Sequence, residues 1–117
     1  MTRLLILLMA LALVSQPAAA QSGRMARGHL LVQRYCAGCH AVNRTGASPN
    51  AAAPPFRDLN ARYRIDELGE ALAEGILTGH PAMPQFTFSP SDVQAVLAYL
   101  KSIQSLQQAS GRGLPIG

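Results

Sequence analysis

The sequence predicts a small all-α domain. Three segments place apolar residues at helical spacing, and no run alternates with period two for long enough to build a sheet. A chain of 117 residues leaves room for a single domain. That length excludes a large α/β enzyme scaffold. Two cysteines permit one bridge or one two-thiol site, which excludes a disulfide-dense framework.

The N-terminal segment is not expected to belong to the folded domain. Met1-Thr2-Arg3 carries positive charge, Leu4 to Val14 is a continuous apolar run, and Ser15-Gln16-Pro17 leads into Ala18-Ala19-Ala20. This is the order of a cleavable secretory signal peptide over residues 1–20, with cleavage after Ala20. The alternative is an uncleaved membrane anchor. An eleven-residue helix rising ~1.5 Å per residue covers about 16 Å, roughly half of a ~30 Å bilayer core. The expectation is therefore a mature chain 21–117, without a stable membrane span and exported to the periplasm.

Within the mature chain, residues Met25 to Tyr35 read as a first helix with Leu30, Leu31 and Tyr35 near one face. Ala41 to Asn60 reads as loop, because Pro54-Pro55 forbids a helix through that point. Ile65 to Leu77 returns to helical spacing, with Ile65, Leu68, Leu72 and Ile76 as its stripe and Gly79 as the expected stop. Gly79 to Phe88, containing Pro81 and Pro84, is again irregular. Ser89-Pro90-Ser91-Asp92 then combines a capping hydroxyl, a proline at the first helical position and an acid at the third. Val93, Val96, Leu97, Leu100 and Ile103 carry that last helix to about Ser105. The domain is thus expected over 21–106, followed by a frayed tail over 107–117 with three glycines and a proline.

Charge is unevenly distributed. Between Gln21 and Arg64 seven arginines face the single acid Asp58, whereas from Ile65 onward five acids face Lys101 and Arg112. A cationic half of this kind steers docking to an acidic partner; ordinary solubility is the plainer explanation. Nucleic acid is a poor candidate, because the basic residues are not interleaved with aromatics and the chain is addressed for export.

Three short helices and two long irregular stretches make a thin core, so something else must fill the centre. Cys36-Ala37-Gly38-Cys39-His40 supplies it. Two thiols at this spacing followed at once by an imidazole are the attachment signature of c-type haem. Each thiol adds across one porphyrin vinyl group, and His40 becomes an axial ligand of the iron. A thiol–disulfide centre would want strand–helix alternation around the cysteines. A zinc site would want a second ligand cluster, and only His29 and His80 remain.

The other axial ligand is sought among the methionines. Met25 and Met83 survive removal of the leader, and Met25 lies in a helix, where a methionine usually fills core space. Met83 stands between Pro81 and Pro84, which hold its loop extended, and it is the first candidate; His80 is the second. A His/Met pair implies a fairly high reduction potential.

From Gly28 to Lys101 these landmarks, in this order, resemble a class I bacterial monohaem cytochrome c. The resemblance implies helices packed round one covalently bound haem. It also implies that Gly28, eight residues before Cys36, lets the first and last helices cross closely, with Val96 and Tyr99 packing on the first. A proline carbonyl, from Pro54 or Pro55, would accept the second imidazole proton of His40, and Phe56 would pack on the haem. Arg57, Tyr63 and Arg44 are propionate candidates by chemistry alone. The implied function is one-electron transfer by a monomeric periplasmic carrier, not an enzyme, between redox-partner proteins with acidic docking surfaces. The alternative is a haem-containing sensor or redox-enzyme subunit whose sixth ligand is displaceable.

Overall fold

The computed structural model describes residues 16–75 and 83–105. The apolar run from Leu4 to Val14, Ile76, Leu77, His80 and the expected tail lie outside the described residues. Among the described residues the chain is helical, with no strand.

Helix α1 spans Gln16–Tyr35. It starts well before Met25 because nothing in Ala18-Ala19-Ala20 opposes a helix, and Pro17 sits in the first turn, where its missing N–H leaves no bond unmade. Leu31 and Val32 form its buried side; Leu30 is 66% exposed and Tyr35 42%. Leu30 therefore leaves the face expected for it. The inward stripe is centred on Gly28 and Val32, one turn apart, and Leu30 points about 200° away from Val32.

Two 3₁₀ turns follow the long loop, Phe56–Ala61 and Ile65–Glu67. Phe56, Leu59 and Ile65 are buried. Helix α2 then runs over Leu68–Glu74 and stops at Gly75, not at Gly79. Gly75 takes φ +71°, and its N–H bonds to the Ala71 carbonyl at 2.9 Å. A side chain there would meet the Thr87 hydroxyl at 2.9 Å and the Phe86 carbonyl at 3.1 Å. The approach of the 83–88 segment, a tertiary event, requires a glycine in the left-handed region at this place.

Helix α3 spans Pro90–Ile103 and opens as its sequence demands. Pro90 occupies the first turn, and the Ser89 hydroxyl accepts the Asp92 N–H at 3.3 Å. At its far end the Gln104 amide donates to the carbonyls of Phe56 and Leu100, while the Asn60 N–H donates to its side-chain oxygen. These bonds end the helix at Ile103 and tie it to the first 3₁₀ turn.

The fold is organised by the crossing of α1 and α3. At Gly28 a Cβ would fall inside contact distance of the Ala95 carbonyl oxygen and 2.9 Å from the Tyr99 Cβ. Ala95, rather than Val96, is the residue against the glycine; Val96 is turned into the core, 4% exposed. Arg27 bridges to Asp92 at 3.0 Å, and the Tyr99 hydroxyl donates to the Val42 carbonyl at 2.8 Å, anchoring the loop after the cysteine motif. Burial pushes the Tyr99 phenol up, which keeps it protonated as that donor.

Candidate functional site

The site starts where α1 ends. The Cys36 N–H still bonds to the Val32 carbonyl, and the Cys36 carbonyl accepts from both the Cys39 and His40 N–H groups at 3.1 and 2.9 Å. The motif is thus a turn that extends α1, and it keeps both thiols and the imidazole on one short arc of chain. The cysteines are unbridged thiols. Burial pushes the Cys36 thiol up to about 11.

The loop 41–55 is folded back beneath the motif by its own backbone. The Ala41 N–H bonds to the Ser48 hydroxyl, the Asn50 N–H to the Cys39 carbonyl at 3.1 Å, and the Phe56 N–H to the Ala41 carbonyl at 2.9 Å. This brings the proline pair under His40. His40 Nδ1 lies 2.8 Å from the Pro54 carbonyl oxygen, whereas the Pro55 carbonyl accepts from the Asp58 N–H instead. A carbonyl only accepts, so Nδ1 carries the proton. In the neutral ring Nε2 is then left with its lone pair, the form a metal requires. The ring is further set by Phe56, whose centroid is 4.7 Å away.

His40, Cys36, Pro54, Phe56 and Met83 all line a cleft of ≈ 340 Å³, walled by Leu31, Val32, Leu59, Leu68, Leu72, Phe86, Phe88, Val96 and Leu100. A second cavity of ≈ 180 Å³ shares Cys36, His40, Pro54 and Met83 and adds Cys39. Each of the six site residues read from the sequence therefore borders one or both of these apolar cavities. Of the three propionate candidates only Tyr63 lines it, 45% exposed at the surface. Arg44 donates to the Ser102 carbonyl, and Arg57 to the Gly46 carbonyl at 2.8 Å.

The structure adds residues that the sequence reading missed. Tyr35 meets Phe86 and Phe88 edge-on, with ring centroids at 5.7 and 5.5 Å, and the two phenylalanines stack at 5.9 Å. The alternation Phe86-Thr87-Phe88 beside Met83 is the signal the sequence carries for them, a weak one because the stretch has no helical period. Among the described residues no three His, Cys, Asp or Glu side chains gather in a group that could hold a metal ion.

Residues 23–100 match the family described as "Cytochrome C oxidase, cbb3-type, subunit III". The chain is also 35% identical, over 94 residues, to "Cytochrome c-552" of Bradyrhizobium diazoefficiens, an alignment covering 80% of this chain and 88% of that protein. The chain belongs to the cytochrome c family. No solved structure matches this cytochrome.

As a monohaem cytochrome c it carries one covalently bound c-type haem. The residues present fit that group. The cleft and the cavity beside it are apolar, Cys36 borders both and Cys39 the second, His40 lines both with Nδ1 turned to the Pro54 carbonyl, and the Met83 thioether lines both. Among the described residues no helix is long and apolar enough to cross a membrane.

Proposed function

We propose that this cytochrome is a periplasmic one-electron carrier. In this reading Cys36 and Cys39 hold the haem through thioether bonds, and His40 and Met83 are its axial ligands. Pro54 fixes the His40 ring and Phe56 packs on the porphyrin. The observation that carries the reading is the 2.8 Å approach of His40 Nδ1 to the Pro54 carbonyl, which leaves Nε2 as the free donor in a cleft shared with Met83.

When bound, the haem supplies a one-electron iron couple. The chain's part is to hold its donors still and to exclude water. Pro54 strengthens the imidazole as a donor by accepting its proton. The apolar walls lower the local dielectric and disfavour the extra charge of the oxidised state, while the thioether of Met83 raises the potential above that of a bis-imidazole site. If His40 and Met83 both held the haem iron, neither face would be left open to O₂ or peroxide, which supports a carrier over an enzyme.

The leader 1–20 is proposed to be removed after Ala20 during export, leaving 21–106 as the cytochrome domain, 107–117 as a tail, and a monomer that docks acidic redox partners. The family description favours one second reading, a subunit of an oxidoreductase such as a terminal oxidase. Its elution as a free monomer from native periplasmic extract would exclude that reading.

The deciding experiment is the ferric absorption spectrum and midpoint potential of wild type and Met83→Ala. Wild type should show the weak far-red band of iron–thioether ligation. The variant should keep its covalent haem, lose the band and drop in potential. An unchanged potential would transfer the role to His80.

A further inference from the structure

Three kinds of contact to the described residues help hold the segment that carries Met83. The Phe88 N–H bonds to the Leu72 carbonyl of α2 at 2.9 Å, the Gln85 amide donates to the Gly75 carbonyl, and the rings of Phe86 and Phe88 close on Tyr35. The first two attachments belong to α2 and its C-cap. The third is different in kind. Tyr35 is the last residue of α1, immediately before Cys36, so its ring joins the Met83 segment directly to the haem-attachment turn.

The shape of the cluster shows what it is for. Tyr35 is 42% exposed and is not a core residue, yet it makes two edge-on ring contacts, both to the same short segment. Edge-to-face pairs are directional, because the positive ring edge of one meets the negative face of the other. They therefore hold a segment in one place better than generic apolar contact does. Phe86 also lines both cavities together with Met83. A shift of either phenylalanine ring away from Tyr35 moves the backbone only a few residues from the thioether.

We propose that Tyr35, acting through Phe86 and Phe88, is a positioning residue that latches the Met83 segment closed over the cleft and so sets how readily an external ligand replaces Met83. The proposal rests on Met83 being the axial ligand. The step it governs is a ligand exchange in which one donor leaves the iron and another arrives, with no electron transferred.

The test is an imidazole titration of ferric holoprotein in wild type, Tyr35→Ala, Tyr35→Phe, Phe88→Leu and Met83→Ala, followed in all five by the shift of the main haem absorption band and, where Met83 is present, also by loss of the far-red band. Losing two aromatic contacts should lower the imidazole concentration at half-replacement by about ten-fold in Tyr35→Ala. Phe88→Leu should move it the same way by a smaller factor, and it carries the test if Tyr35→Ala yields no holoprotein. Tyr35→Phe keeps the ring and should titrate as wild type. A purely structural role would lower the melting temperature of Tyr35→Ala and leave the imidazole titration unmoved, which overturns the latch. A wild-type protein with no far-red band, or a Met83→Ala variant that binds imidazole no better than wild type, overturns the ligand assignment and the latch with it. The band present, with unmoved titrations in Tyr35→Ala and Phe88→Leu, overturns the latch alone.

Discussion

Replacing Gly28 by alanine is the sharpest test of how this cytochrome is assembled. The new methyl group would lie 2.6 Å from the Ala95 carbonyl carbon, closer still to its oxygen, and 2.9 Å from the Tyr99 Cβ. All of these obstacles are backbone or Cβ atoms, so no rotamer change relieves them. The axes of α1 and α3 must separate by on the order of an ångström, as in other overpacked cores, which costs about 1–3 kcal/mol. Alanine returns up to ~1 kcal/mol through its better helix propensity. From the middle of that range the net is a loss of about 1–2 kcal/mol, and a domain of this size loses roughly 4–8 °C in melting temperature per kcal/mol. The assay is thermal unfolding of ferric holoprotein by circular dichroism. Gly23→Ala serves as the control, since Gly23 lies in the same helix with no atom within 4 Å of a Cβ. Gly28→Ala should melt about 5–15 °C below wild type, and Gly23→Ala at or slightly above it. A Gly28→Ala variant as stable as wild type would refute the close-crossing argument.

Cys39→Ala should sharply reduce the yield of covalent holoprotein, because one thioether link and the attachment signature go together; intact mass and pyridine haemochrome measure it, and near-normal yield would contradict the motif's role. Tyr99→Phe leaves the Val42 carbonyl without its 2.8 Å donor and should cost about 1–3 kcal/mol in chemical denaturation. Asp92 accepts a hydrogen bond from Arg27 and is held below the usual carboxylate range, first by that bond. Its contribution is therefore complete above the unfolded carboxylate value near ~4 and is lost as pH falls through the lower folded value. The melting-temperature difference between wild type and Asp92→Asn should be constant at neutral pH and vanish in acid; a difference that persists in strong acid would contradict it. High salt should shrink the same difference, since the Arg27 partner is largely exposed.

Much of this protein is local chemistry and is readable without coordinates. Ser89-Pro90-Ser91-Asp92 starts α3 wherever it occurs, because hydroxyl, ring and acid act on the first turn alone. Cys36-Ala37-Gly38-Cys39-His40 announces a covalent haem because thiols and imidazole must sit at that spacing to reach one porphyrin. Net charge, the apolar run from Leu4 to Val14 and the all-α class belong to the same level.

Other features depend on what meets what. Gly75 rather than Gly79 ends α2, because the 83–88 segment passes too close for a side chain. Leu30 is exposed because the crossing with α3 is centred on Gly28, and a glycine gives no apolar signal from which to draw the buried stripe. The sequence pattern favours Pro54 but leaves Pro55 open; the fold turns the Pro54 carbonyl to His40 and the Pro55 carbonyl to the Asp58 N–H. The aromatic cluster of Tyr35, Phe86 and Phe88 joins residues about fifty positions apart, a pairing no local period encodes. Sequence alone determined which chemical groups this protein carries and which turns and helices can start. The tertiary structure decided where those groups point, because orientation is set by contacts between segments distant along the chain.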